Sequence, residues 1–229
     1  MEEDGTEYQQ VSEVVVGKER TKFIIHTKVF RARSTFFKSA LSTSWNLDQN
    51  PVEFVDVDPG HFSKYLTVAY GGTPNPNFEE DQRFLELSDI YILADRLGEC
   101  TCANLVMDAI IEHVQSPAHD VPDWSTTKSI LTDLPTDSCM HRLMVDAYCA
   151  TTSTCQEVRD DAQDETASKF LVAVAQVYRT REAEVSNDDT IKHAFTRDIR
   201  HLDRVRYHEH NESGPKDDCV GCKPPKEDG

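Results

Sequence analysis

The sequence predicts an α+β unit, a small three-stranded sheet with a cluster of short helices, followed by an all-α region. Three observations carry this reading. Between Phe23 and Phe37 the hydrophobic period switches from that of a strand to that of a helix within a few residues. Short β-favouring runs occur at Val14–Val16, at Phe23–Ile25 and across Val52, Phe54, Val55 and Val57, and β-alternation is absent after residue 120. Beyond that point the apolar positions recur only at helical spacing.

Taken in order, residues 1–10 are polar and are expected to be disordered. Val14-Val15-Val16 reads as a strand, and Gly17-Lys18-Glu19-Arg20 as the turn into the Phe23 strand. Val29, Phe30 and Ala32 suit a two-turn helix. Ser34 then offers an N-cap oxygen to a second short helix, whose buried face is Phe36, Phe37, Ala40 and Leu41. Trp45 to Pro51 reads as a loop before the third strand. Asp58-Pro59 starts the next helix, with Asp as N-cap and Pro at the first helical position, where its missing N–H costs nothing. Phe62, Tyr65, Leu66 and Ala69 form its buried face, and Gly71-Gly72 end it.

A proline-stiffened loop at 73–77 leads to two longer helices. Phe84, Leu87, Tyr91 and Ala94 define the first; Cys102, Val106, Ala109, Ile110 and His113 define the second. A linker is expected at 116–128, on the strength of Pro117 and Pro122. The helical region follows at 129–210, with apolar stripes at Met140–Tyr148, Phe170–Tyr178 and Ile191–Leu202. The acidic stretch 156–165 reads as a loop or a frayed helix start, and 211–229 as a flexible tail.

Composition narrows the function. A net charge of −17 argues against phosphate-backbone binding by the chain as a whole. No stretch is apolar over a bilayer's width, and the acidic start Met-Glu-Glu-Asp-Gly-Thr-Glu does not read as a signal peptide. The seven cysteines are odd in number and scattered, with Cys100, Cys102, Cys139 and Cys149 in helical segments. That is free-thiol usage, and a cytoplasmic or nuclear location is expected. Catalytic signatures are lacking: there is no Gly-x-Ser-x-Gly elbow, phosphate loop or Gly-x-Gly-x-x-Gly turn, so no enzyme is expected.

A strand ending in Ile25-His26, a helix with Ala32-x-Ser34 and the pair Phe36-Phe37 resemble the core signature of the BTB/POZ family. The resemblance continues through Val57-Asp58-Pro59-x-x-Phe62, Tyr70-Gly71-Gly72 and Tyr91-x-x-Ala94-Asp95-Arg96-Leu97, and covers residues 11–115. It implies fold positions at His26, Ala32, Ser34, Phe36, Phe37, Asp58, Phe62, Tyr70, Ala94 and Asp95, with His26 at a strand-to-helix junction where a ring nitrogen can hydrogen-bond backbone. A BTB unit followed by a helical region is similar to the layout of fungal members. The family implies protein–protein interaction: self-association, scaffolding, or bridging to a cullin-type ubiquitin ligase as an adaptor. About ten residues precede the first strand, short of the extension exchanged by many dimeric members, so a monomer or weak dimer is expected. In the loop after the aromatic pair, Trp45 is the candidate partner-binding residue.

A second reading, a zinc-dependent regulator associated with nucleic acid, rests on the far end of the chain. His208-x-His210 with Cys219-x-x-Cys222 supplies four ligands of the kind a structural zinc site uses. Arg197, Arg200 and Arg204, with His193 and His208, read as the polar side of the last helix. Cys100 and Cys102 are packing residues, because i and i+2 point apart on a helix.

Overall fold

The computed structural model describes residues 10–42, 51–74, 82–115, 121–150, 155–185 and 204–208. Strands β1 (Val11–Val16) and β2 (Thr21–His26) form an antiparallel hairpin, and β3 (Val52–Phe54) adds parallel to β1, giving the order β2-β1-β3. The third strand is shorter than the apolar run suggested, because Val55–Val57 turn toward the next helix. Gly17 holds φ at +76° in the hairpin turn and donates its N–H to the Phe54 carbonyl at 2.7 Å, so the turn also ties β3. A Cβ at Gly17 would press on the Pro59 ring at 3.0 Å, which adds a packing reason to the conformational one.

Side-chain alternation gives the sheet two faces. Val14, Val16, Ile25 and Phe54 point into the core. Val11, Glu13, Lys22, Ile24, His26 and Glu53 stand on the opposite side by register. Val15 shares that outer side yet is buried, flanked by its partners Lys22 and Glu53 on the two neighbouring strands.

Helices α1 (Thr27–Arg33) and α2 (Thr35–Ala40) meet at Ser34, whose buried hydroxyl serves both sides of the junction. It accepts from the Phe37 N–H at 3.0 Å, the expected N-cap, and donates to the Leu97 carbonyl at 2.6 Å. Thr35 and Phe36 donate their N–H groups to Gly98 and Leu97, docking α2 on the end of α4 (Arg83–Arg96). Gly98 sits at φ +60°, and a Cβ there would run into the Thr35 side chain. Phe37 is fully buried among Phe30 (5.4 Å between ring centroids), Phe36 (5.4 Å) and Phe54 (6.2 Å), while Phe36 is half-buried. Phe54 passes the contact on to Phe62 at 5.9 Å, on α3 (Pro59–Ala69). Asp58 caps that helix, accepting from Gly60 and His61 N–H at 2.7 and 3.1 Å. Leu66 is only half-buried, and Val68 takes the inward position instead.

Where α5 (Cys100–Gln115) begins, Glu99 is 1% exposed. The Tyr65 hydroxyl donates to its Oε2, and its Oε1 has no hydrogen-bond partner among the described residues. Burial pushes the Glu99 carboxyl above the ordinary glutamate range, against the opposing pulls of the Tyr65 hydrogen bond and Arg33. A raised folded-state value makes this group's contribution complete below the unfolded glutamate pKa and lost as pH rises through the folded one. Glu99→Gln keeps an acceptor for Tyr65 and removes the buried charge. Its melting-temperature advantage over the native chain should therefore be larger at pH 8 than near pH 5, by thermal melts of both proteins. A pH-independent difference would show that Glu99 carries no such cost.

Among the described residues the C-terminal half has α6 (Trp124–Thr132), α7 (Cys139–Ala150), α8 (Cys155–Asp160), α9 (Glu165–Val185) and a 3-10 turn at Arg204–Tyr207. Two expectations change here. Helix α6 begins at Trp124, inside the stretch read as linker, because Asp123 caps it through the Thr126 N–H at 2.9 Å and Trp124 is core, 4% exposed. The acidic stretch is also ordered. Glu157 and Asp161 accept from the Trp124 backbone and indole N–H at 3.2 and 2.9 Å. Lys128 bridges Asp161 and Asp164 at 2.8 and 3.0 Å, holding both carboxyls below the usual range, and Asp164 caps α9. These acids have structural partners, so the segment forms a helix and a tight turn.

Trp124, His141, Tyr148 and Phe170 make the aromatic centre of this half, with ring centroids 5.2–5.8 Å from Phe170. The apolar core runs unbroken from Val14 to Tyr207 across both halves. Cys102, Cys139 and Cys149 are buried thiols outside any disulfide, and Cys100 is half-buried.

Candidate functional site

The outer face of the sheet exposes two large aliphatic side chains. Val11 and Ile24 are 52% and 58% exposed, although the surrounding strand positions carry charge. Register explains their proximity: Val11 lies opposite His26 and Glu13 opposite Ile24, so Ile24 is the diagonal neighbour of Val11 on one face. Around them the charged residues are paired across strands, Lys22 with Glu13 at 3.1 Å and Arg20 with Glu53 at 2.7 Å. Mutual pairing leaves the aliphatic groups as the part of the face without a complement.

His26 and Tyr70 complete the patch. The His26 backbone N–H donates to the Tyr70 hydroxyl at 3.0 Å, and His26 Nδ1 lies 3.0 Å from the same oxygen. The rings meet edge-on at 5.7 Å, and Tyr70 also packs edge-on against the buried Phe30 at 5.3 Å. The His26 ring therefore bonds a tyrosine side chain rather than backbone, a correction to the sequence reading. Tyr70 ends α3, and Arg33 donates to the Ala69 carbonyl beside it, so the exposed ring is held from two sides. Two aliphatic side chains and two rigid, half-exposed rings make a surface of the composition that protein interfaces favour.

The other sequence candidates fall elsewhere. Ser34, Phe37, Phe62 and Ala94 are buried, Asp95 and Phe36 are half-buried, and Ala32 and Asp58 are exposed. Trp45 lies outside the described residues, as do His193, Arg197, Arg200, His210, Cys219, Cys222 and the stripe Ile191–Leu202. His208 is described and is not on a polar surface. It is 5% exposed, with Nε2 3.0 Å from the Asp108 carboxylate on α5. Among the described residues no group of three or more His, Cys, Asp or Glu side chains is placed to hold a metal. No helix among them is long and apolar enough to cross a membrane.

Comparison with known families agrees with this frame: residues 5–104 match the BTB/POZ domain family. Residues 5–104 are a BTB/POZ domain. The match ends within α5, whose last turns extend beyond it toward the helical half. The BTB/POZ domain is a protein–protein interaction domain and not a catalytic one, and such domains also mediate self-association. The chain is similar to the kelch repeat and BTB domain-containing protein 4 of Homo sapiens and of Pongo abelii, 30% identical over 96 residues in each case. The aligned part is 42% of this chain and 18% of theirs, so the chain spans under a fifth of the length of these relatives. No solved structure matches significantly.

Proposed function

We propose that the chain is a scaffold or adaptor whose BTB/POZ domain docks other proteins, or a second copy of itself, through the outer sheet face. The observation that carries this is the cluster of Val11, Ile24, His26 and Tyr70, exposed on a face whose charges are already paired. Burying two such aliphatic side chains supplies roughly 1.5–3 kcal/mol each, enough to matter at the centre of a modest interface. A cullin-type ligase, which the family resemblance implies, is one candidate partner.

Ile24→Lys tests the reading, since it places a charge on an exposed strand position and should change stability by no more than about 0.5 kcal/mol. The native chain should show concentration-dependent self-association by light scattering, or retain binding proteins in a pull-down that includes a cullin as prey. Ile24→Lys should weaken whichever of these is seen at least tenfold. Undiminished association by a folded Ile24→Lys protein would place the interface elsewhere.

A further inference from the structure

Strand β2 forms one edge of the sheet, because the order is β2-β1-β3. Two hydrogen bonds fix which of its backbone groups face β1. Thr27, opposite Gln10 one step beyond the strand, donates its N–H to the Gln10 carbonyl at 3.0 Å. His26, one residue earlier, sends its N–H elsewhere, to the Tyr70 hydroxyl. In an antiparallel ladder this direction alternates from residue to residue. Thr21, Phe23 and Ile25 therefore bond β1, while Lys22, Ile24 and His26 turn their N–H and C=O groups to the open side. Tyr70 takes the His26 N–H; those of Lys22 and Ile24 have no partner among the described residues.

This open edge is short and bounded. Tyr70 closes it at His26, and at the other end Arg20 leaves the strand with φ at +57°. What remains, Lys22 and Ile24, is symmetric about Phe23. Lysine often guards such an edge, but here the Lys22 ammonium is drawn across the sheet to Glu13 at 3.1 Å, as Arg20 is to Glu53 at 2.7 Å. The charges at the edge are thus paired within the sheet, and a second copy meets a locally neutral surface in a chain of net charge −17. On the inner side Phe23 packs edge-on against Phe62 at 5.0 Å and is half-buried, where Val14 and Ile25 beside it are fully buried.

We infer that two copies of the chain pair antiparallel through β2, edge to edge, about a two-fold axis at Phe23. This register uses every free group: Lys22 pairs with Ile24 of the second copy and Ile24 with its Lys22, each pair exchanging both of its hydrogen bonds. The neighbouring registers do not. Centring on Ile24 sets Lys22 against His26, whose N–H is already taken, and centring on Lys22 sets two ammonium groups directly opposite each other. In the inferred register the second copy's strand begins at Thr21, opposite Ile25, and so stops just short of Tyr70. The two Phe23 rings meet across the axis as a closely spaced cross-strand pair, each covering the part of the other that solvent reaches. The three-stranded sheets join into one through an isologous contact. This goes beyond the docking reading, since the contact is made by backbone at the strand edge and leaves the aliphatic face free for other proteins.

Amide exchange by NMR on the full chain, at several protein concentrations, tests the pairing. The Lys22 and Ile24 amides should exchange fast in dilute protein and at least tenfold more slowly as concentration rises, while those of Phe23 and Ile25 stay protected throughout. Sedimentation velocity should show the matching monomer–dimer equilibrium. Lys22→Pro removes one outward N–H without touching the β1 ladder, a position where an edge strand tolerates proline, and should raise the dimer dissociation constant at least tenfold. Lys22→Gln loses the same charge but keeps the N–H, and should dimerise like the native chain. Exchange at Lys22 and Ile24 that ignores concentration would overturn the inference, and slow exchange even in dilute protein would mean that the chain's own residues cover the edge. A dimer that survives in folded Lys22→Pro, or one lost equally in Lys22→Gln, would overturn it as well. Because Lys22→Pro keeps Val11, Ile24, His26 and Tyr70, a pull-down with that variant reports on the outer face separately.

Discussion

Phe37→Ala is expected to unfold the BTB/POZ domain at moderate temperature. Phe37 is fully buried and touches three other rings, one on α1, one on its own helix and one on β3. Truncating such a residue costs roughly 3–5 kcal/mol, from lost transfer energy and from a cavity that rigid ring neighbours cannot fill. A domain of ordinary stability has about 5–15 kcal/mol to lose. Binding at the sheet face should vanish with it, since Phe30, which supports Tyr70, is a direct neighbour of Phe37. The comparison is Phe36→Ala, one residue earlier and half-buried, where water can reach the site and the penalty should be clearly smaller. Urea melts of the two variants decide the matter. If Phe36→Ala proves the more damaging, the register of α2 on the sheet is wrong.

Trp124→Ala should have an effect of similar size, and its interest lies in how far it spreads. The side chain is 4% exposed, stacks near Phe170 at 5.3 Å and donates its indole N–H to Asp161. Removing it takes away a core aromatic and one hydrogen bond, for roughly 3–5 kcal/mol. Trp124→Phe keeps a ring and loses the hydrogen bond, a change of about 1 kcal/mol plus the smaller ring. Because the apolar core is continuous between the two halves, Trp124→Ala should lower one shared transition rather than create two. Calorimetry would expose the alternative as a split peak, with the BTB half melting at the native temperature.

The sequence-level reading succeeded where a signal is local. The switch of period at Phe23–Phe37, the Ser34 cap and Asp58-Pro59 are each contained in a few residues, and the structure has them in those places. What escaped it depends on distance along the chain. His26 finds Tyr70 44 residues away, and no periodicity announces that a histidine's partner is a hydroxyl rather than a carbonyl. The exposed patch arises from strand register, which depends on pairing rather than on either strand alone. Trp124 looked like linker because prolines surround it, but its ring is claimed by α9 and its N–H by a segment that seemed merely acidic. Glu99 left no trace in composition, since a buried acid is visible only when its neighbours are known.

Tyr207 and His208 set the order in which the chain can finish folding. Tyr207 bonds Asp146 across 61 residues of sequence, and His208 bonds Asp108 across 100. During synthesis the BTB half emerges first, and α5 presents Asp108 to solvent long before its histidine is made. Loop closure over such separations is slow compared with forming the local helices. The last-made described residues thus fasten elements made much earlier, tying the end of the helical half back to α7 and α5.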